Sequence, residues 1–343
     1  MVRRLLFALA LLAATRGQGR SEVVAEPAAP PADPDRGNFW RDIVEPHKDE
    51  VTLILYKARN AITTADNALI ADYDPTGAGR LKVYREVNGM LRYARRLAPD
   101  NLEVLKLYAQ TSDVLGKTRQ AIDALHAAID TVGAEKAGLE ITGRLGEIYL
   151  RLGQLDDAIR YLRIAQGPII PGQPITAHVL VHLASALAER GQSGDAIDVL
   201  ANALPANPPF YSNEMQVVAF ALAVMYDRDE QRTAAFETLD KLRAALQDQM
   251  GPMIHNALAP LRFAPAEDEP YFLGLLYEAV DDYPEARAEF ALYAAAGELP
   301  YRGRALDHIA AIDARPRPEA GPVLVGPATP HHLHPRKHVV PSP

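Results

Sequence analysis

Apolar residues recur at helical spacing along the body of the chain, between Asn38 and Asp313. Alternation of β-branched and polar residues, which is typical of strands, is rare there. Residues that end helices interrupt the pattern at Asp74-Pro75, Gly116, Gly153, Gly191, Asn207-Pro208 and Gly251-Pro252. The pattern predicts an all-α body built from short helices that are joined by tight turns.

The body also carries an internal repeat, which is anchored on five alanines: Ala121, Ala158, Ala196, Ala235 and Ala286. Twelve residues before each alanine stands a small residue: Ala109, Gly146, Ala184, Ala223 and Gly274. Four residues after each alanine stands a large apolar residue: Leu125, Leu162, Leu200, Leu239 and Phe290. Antiparallel helices approach closely where one carries a small side chain and the other a large one, so each unit is predicted to be a helix pair. A glycine five residues before the first three alanines permits the tight turn.

These offsets resemble the tetratricopeptide repeat (TPR) family. The best unit, residues 139–171, keeps the family's characteristic positions at Leu145, Gly146, Tyr149, Gly153, Ala158, Leu162 and Ala165. Five units cover roughly 102–300, a degenerate sixth precedes them with helices near 49–73 and 80–97, and residues 301–313 form a solvating terminal helix. The resemblance implies a right-handed superhelix of antiparallel helix pairs, with about five to six repeats.

The repeat departs from the family in two respects. The alanines are separated by 37, 38, 39 and 51 residues, and the only tryptophan is Trp40, outside the repeats. The longest step contains an insert, residues 246–266, which carries three prolines. We expect this insert to form either an extra helix or a loop that crosses one face of the array.

The two ends of the chain differ from its body. Two arginines near Met1 precede ten apolar residues, Leu5 to Ala14, and this pattern predicts a cleaved secretory signal in residues 1–20. An uncleaved anchor or an ordinary helix start are the alternatives. Ten apolar residues are too few for a stable membrane span, and no cysteine is present to carry a lipid. We therefore expect a periplasmic or secreted protein that is not a lipoprotein.

Residues 21–37 are rich in proline and alanine and read as an extended linker, which leaves 38–313 as the solenoid. Residues 314–343 are rich in proline and histidine and are predicted to be a disordered basic tail. The net charge of −8 divides into +4 for 1–20, +3 for 315–343 and −15 for the remainder. The tail is therefore a candidate for weak contact with an anionic surface or with the acidic body. Its four histidines, His331, His332, His334 and His338, are not predicted to hold a metal.

Composition and motifs exclude several classes of function. A chain without cysteine forms no disulfide, thiolate zinc site or iron–sulfur cluster. The acidic balance argues against binding of nucleic acid. His178 and His182 share a helix face, but they lack the third protein ligand that zinc sites need. No phosphate-binding, dinucleotide-binding or serine-nucleophile motif occurs. We predict a non-catalytic protein with no cofactor and no metal.

The resemblance implies that the first helix of each pair lines a concave groove that binds a partner. The groove residues predicted on this basis are Lys106, Gln110, Arg144, Glu147, Arg151, His178, His182, Phe220, Val224, Tyr271 and Leu275. The groove is expected to be polar at its N-terminal end and aromatic and apolar at its C-terminal end. Some TPR domains clamp a terminal carboxylate with lysine, asparagine and arginine. Only Lys106 fits that pattern, so no such clamp is predicted.

These expectations combine into a scaffold or adaptor that binds a peptide or protein segment in the periplasm or cell envelope. One alternative is a regulatory or carrier subunit of an envelope enzyme complex. Another is a cytoplasmic TPR adaptor, if residues 1–20 are not a signal.

Overall fold

The computed structural model describes residues 46–70, 76–168, 176–204, 212–259, 261, 263 and 265–315. The chain divides into two units, residues 1–53 and 54–343, and the first is described only from residue 46 onward, as a turn and the beginning of a helix. The predicted signal and linker lie outside the described residues, and so does the predicted tail apart from residues 314 and 315. All three stay predictions.

Every regular element within the described ranges is helical, and the all-α prediction is confirmed. The helices are α1 Lys48–Ile70, α2 Ala78–Leu97, α3 Leu102–Val114, α4 Thr118–Val132, α5 Ala134–Ala137, α6 Leu139–Arg151, α7 Leu155–Gln166, α8 Ala177–Glu189, α9 Ser193–Asn202, α10 Asn213–Arg228, α11 Arg232–Leu246, α12 Met250–Leu258, α13 Asp268–Ala279, α14 Tyr283–Ala295 and α15 Arg302–Asp313. A short 3₁₀ turn, Gln247–Gln249, leads into α12.

The helices form pairs that stack on one another, as the repeat predicts. In each of the pairs α3–α4, α6–α7, α8–α9, α10–α11 and α13–α14, a three-residue turn joins two helices that pack along each other. The second helix of a pair then packs on the first helix of the next, as α4 does on α6, α7 on α8, α9 on α10 and α14 on α15. This is the architecture of a TPR-like helical solenoid.

The predicted pairing of small and large residues holds the helices of a pair together. A Cβ atom added at Gly146 of α6 would lie 2.6 Å from Cγ of Leu162 in α7. A Cβ atom at Gly274 of α13 would lie 2.9 Å from the ring of Phe290 in α14. Each glycine therefore makes room for the large side chain sixteen positions later, as the offsets predict.

The turn within each pair requires a left-handed backbone conformation. The three turn glycines have positive φ angles: Gly116 at 70°, Gly153 at 69° and Gly191 at 81°. The last two repeats place Glu230 and Asp281 at the same position, with φ angles of 60° and 64°. Residues with a Cβ atom rarely adopt this conformation, so the fold keeps the turn geometry there at a cost in backbone strain.

The insert resolves into an extra helix, α12, which packs against α10 with Ile254 and Leu258 buried. This extra helix changes the stacking at one step. Whereas the other second helices rest on the next first helix, α11 makes at most marginal contact with α13. The α11 surface is therefore left without a closely packed helix on one side.

Candidate functional site

Four of the predicted groove residues lie together around one open cavity of about 450 Å³. We call it the first-helix cavity, because α6, α8 and α10 supply most of its walls. Its lining residues are Arg144, Glu147, Ala177, His178, His182, Asn213, Glu214, Val217, Ala257 and Leu261. Residues from three successive repeats therefore share one space, and the insert borders it on one side.

The two histidines of the cavity occupy successive turns of α8. Their ring centroids lie 6.5 Å apart, with the planes at 70°. His178 is exposed, whereas His182 is only 4% exposed. No group of three or more potential metal ligands occurs in the part of the chain that the structure describes. His178 is therefore the more accessible of the two histidines that α8 contributes to the cavity.

One side of the cavity is fixed by a hydrogen bond between repeats. The backbone N–H of Ala177 donates to Oε2 of Glu214 at 2.5 Å. A carboxylate at a helix N-terminus satisfies an otherwise unpaired donor and is stabilised by the helix dipole. Glu214 of α10 therefore holds the start of α8. Val217, which is buried, and Leu261 of the insert supply apolar surface beside it.

Two predicted groove arginines are held by a carboxylate of the preceding repeat. The Asp113 side chain is fully buried and lies 2.5 Å from Nη2 of Arg151 and 3.8 Å from Nη1 of Arg144. Arg151 donates a hydrogen bond across this contact. These ion pairs tie α3 to α6, so the positive charges also stabilise the stacking of first helices.

The most N-terminal predicted residues lie outside the cavity. Nζ of Lys106 is 2.7 Å from Glu103 and 2.6 Å from Glu140. Burial lowers the pKa of this lysine, but the hydrogen bonds to both carboxylates outweigh burial and raise it. Lys106 therefore bridges α3 and α6, and Gln110, about one turn from the end of α3, is half-buried.

The expected aromatic and apolar end of the groove is wrong. Phe220, Val224 and Tyr271 are completely buried and Leu275 is 4% exposed, so these residues belong to the core. The insert and α15 cover this face. α12 packs against α10, the ring of Phe263 lies 5.0 Å from that of Phe272, and Phe272 contacts Phe220. Tyr301, just before α15, contacts Tyr271 at 6.2 Å between ring centroids.

A buried polar network replaces the predicted groove at this end, and it was not predicted from sequence. Asp227 is its centre: its carboxylate accepts hydrogen bonds from Tyr271 at 2.6 Å, from Nε of Arg304 at 3.1 Å and from Nε2 of His308 at 2.9 Å. Nδ1 of His308 lies 2.6 Å from Glu278. The network joins α10, α13 and α15, which makes the terminal helix a structural part of the array.

The charges of the network reinforce one another. Burial raises the pKa of Asp227, but the hydrogen bonds from His308, Arg304 and Tyr271 outweigh it and lower this pKa to about 2. Burial lowers the pKa of His308, but its bonds to Asp227 and Glu278 raise the value to about 9. His308 is therefore protonated at neutral pH and donates from both ring nitrogens.

A second buried ion pair lies beside this network. Nη1 of Arg228 donates to Asp268 at 3.0 Å, and the guanidinium lies over the rings of Tyr271 and Tyr301 at 4.7 and 4.5 Å. Glu189, at the end of α8, has its pKa raised to about 7 by burial and by the charge of Asp268. This carboxyl group consequently titrates near neutral pH.

Among the helices of the described ranges, none is long and apolar enough to cross a membrane.

Comparisons with known proteins give fold-level similarities only. No protein-family model matches the chain, and no curated protein matches it. The crystal structure of YrrB, a TPR protein with an unusual peptide-binding site, has a TM-score of 0.37 and 16% identity, covering 58% of this chain and 90% of its own. The C-terminal part of a TPR protein from Cytophaga hutchinsonii has a TM-score of 0.42 and 15% identity, covering 76% of this chain and 98% of its own.

A third similar structure is the APC/C hetero-tetramer Cut9–Hcn1, with a TM-score of 0.43 and 15% identity. The match covers 77% of this chain but 46% of that one, so the present chain corresponds to about half of it. These scores and identities are low, and nothing about ligands or activity follows from them. The helix pairs of this chain and their stacking themselves define a TPR-like solenoid.

Proposed function

We propose that the protein is a non-catalytic interaction scaffold that binds a peptide or protein segment at the first-helix cavity. The observation that carries the proposal is the convergence of Arg144, Glu147, His178 and His182, from α6 and α8, on one open space. Each repeat of a solenoid contacts only its neighbours. A cavity shared by three repeats therefore gives a bound segment contacts along the array.

The lining indicates what such a segment offers. Ala177, Val217, Ala257 and Leu261 provide apolar surface, while the exposed His178 and Asn213 provide hydrogen-bonding groups. About 450 Å³ lies within the usual range of ligand pockets. We therefore expect a short segment that inserts one or two apolar side chains and hydrogen-bonds at its edges.

The test uses the purified chain and a library of short random peptides. Enriched peptides are labelled, and their affinities for the unsubstituted protein and for His178→Ala are measured by fluorescence anisotropy. His178→Ala should weaken binding about fivefold or more, which corresponds to roughly 1 kcal/mol. Asp198→Ala, at an exposed position on the second helix of the same repeat, is the matched control.

Two results would contradict the proposal. One is the absence of any enriched peptide. The other is an equal affinity for the unsubstituted protein and His178→Ala, because the peptides would then bind elsewhere.

We also propose that the protein acts in the periplasm or cell envelope. This rests on the two basic residues near Met1 and the apolar run from Leu5 to Ala14. N-terminal sequencing of the protein from its own host tests it. A chain that begins after residue 20 or close to it is expected, and an intact Met1 in the soluble cytosolic fraction would overturn the proposal.

A further inference from the structure

A second cavity lies between α11, α13 and α15, and it shares no lining residue with the first-helix cavity. We call it the α11 cleft; its volume is about 380 Å³. Ala235, Phe236 and Leu239 of α11 form one wall, and Leu275 and Ala279 of α13 face them. At 69% exposure, Phe236 is the most exposed large hydrophobic residue in the described part of the chain.

The cleft exists because one stacking step is missing. In the other repeats the second helix rests on the next first helix, but α11 makes at most marginal contact with α13, because the insert intervenes. Phe236 and Leu239 are three residues apart and share a helix face. Together they form an apolar stripe that would otherwise pack against a neighbouring helix, and this stripe is therefore partly exposed to solvent.

The end of the described chain points to what covers the stripe. Arg315, the last described residue, lines the cleft, and its guanidinium lies 3.8 Å from the ring centroid of Tyr283. The chain therefore continues from the rim of the cleft. The first uninterrupted apolar run beyond Arg315 is Val323–Val325, which is preceded by Gly321-Pro322 and followed by Gly326.

The connecting length is sufficient. Val323 is eight positions after Arg315, and an extended proline-rich chain spans about 3.1 Å per residue, or roughly 25 Å over these eight steps. The rim carries both acidic and basic residues, such as Asp240 and Arg232. Apolar contact rather than net charge therefore selects the occupant.

We propose that residues 321–326 of the same chain dock in the α11 cleft, with Val323–Val325 covering Phe236 and Leu239. The segment supplies the neighbour that the insert removes from α11. This site is distinct from the first-helix cavity, and the inference does not depend on the proposed function.

Disulfide trapping tests the proposal in the full chain, which has no cysteine of its own. Asp240→Cys, at the exposed rim, is combined with Gly326→Cys, next to the apolar run. The matched control carries the same two cysteines together with Val323→Ser, Leu324→Ser and Val325→Ser. Because both proteins keep the same tether, the control measures the effective concentration that the tether alone provides.

Under mild oxidation, the intramolecular disulfide should form about tenfold faster or more with the apolar run intact than in the serine control. Equal rates would overturn the proposal. Disulfide-linked dimers that increase with protein concentration would also overturn it, because the cleft would then receive a segment from a second copy.

Hydrogen exchange gives an independent readout without cysteines. The three serine substitutions alone should speed amide exchange in α11 severalfold, while exchange in α3 and α6 stays the same. Unchanged exchange in α11 would contradict docking of the segment there.

Discussion

The carboxylate of Asp227 accepts a hydrogen bond of 2.9 Å from His308, although the two residues are 81 positions apart. Asp227 stands near the end of α10, before the insert, and His308 stands in the last described helix. The contact therefore joins helices that are separated by the insert and by a complete repeat. Terminal helices of solenoids lack a neighbour on one side, and here a buried charged network holds the last one in place.

Substitution of His308 should loosen α15. His308→Ala removes a protonated donor from between Asp227 and Glu278 and leaves two carboxylates facing a gap, at a cost of about 3 kcal/mol. Thermal unfolding by circular dichroism and amide exchange across residues 302–313 measure the loss. Leu306→Ala, at an exposed position on the same helix, is the control, and an equal effect of both substitutions would contradict the role assigned to His308.

The same contact predicts a pH dependence with a definite sign. The pKa of His308 is raised from 6.5 to about 9, so its contribution to stability is complete below 6.5 and is lost as pH rises through 9. The pKa of Asp227 is lowered from 3.8 to about 2, so its contribution is present above 3.8 and is lost as pH falls through 2. The stability difference between the unsubstituted protein and His308→Ala should therefore shrink between pH 7 and 10. A constant difference would show that His308 is not charged in the folded protein.

Glu189 should also make stability fall as pH rises, but over a lower pH range than His308. Its pKa is raised from 4.5 to about 7, so the folded protein binds the proton more tightly than the unfolded chain, and stability falls as pH rises from 4.5 to 7. Glu189→Gln should remove this fall and raise the free energy of unfolding at pH 8 by on the order of 1 kcal/mol, since partial exposure reduces the effect. Urea denaturation at pH 5 and pH 8 checks it. A variant that is destabilised equally at both values would contradict the titration.

Glu230 offers a test of strain in the turn between α10 and α11. Its φ angle of 60° is one that glycine adopts freely. Glu230→Gly should therefore stabilise the protein by up to about 1 kcal/mol. The gain from relieving the backbone strain is partly offset, because glycine has more conformational entropy in the unfolded chain. Glu230→Ala keeps the Cβ atom and should bring no such gain. If alanine stabilises as much as glycine, the side chain rather than the backbone is responsible.

Gly146 tests the close approach between α6 and α7. A methyl group there would lie 2.6 Å from Cγ of Leu162, so Gly146→Ala should lower the free energy of unfolding by about 1–3 kcal/mol. Gly143→Ala is the control on the same helix. Its Cβ atom would come no nearer than 3.4 Å, to Val179, and the higher helix propensity of alanine favours it by up to about 1 kcal/mol. Similar effects of the two substitutions would contradict the close packing at Gly146.

The fold was predictable because its signal is local. The spacing of Gly146 and Leu162 within one repeat already fixes which helices pair, and the structure confirms that pairing. The approach of Arg144 and His178 to a common cavity was predictable for the same reason, since first helices of successive repeats stand side by side.

The covered end of the predicted groove could not be found in this way. The period predicts that Phe220 and Tyr271 lie on first helices, but it does not say where the insert packs, and the insert buries this face. The link between Asp227 and His308 left no pattern at helical spacing, because it depends on contacts between distant parts of the chain.

The marginal packing between α11 and α13 also affects how the array responds to load. Elsewhere in the array the second helix of a pair packs on the first helix of the next, but at this step that packing is marginal and α10, together with α12, carries the joint to α13. A joint between repeats that is packed on only one side opens more easily than one that is packed on both sides. Under tension the repeat α13–α14 and the helix α15 would therefore separate together from α10, and the Asp227 network and the Arg228–Asp268 ion pair would resist this separation.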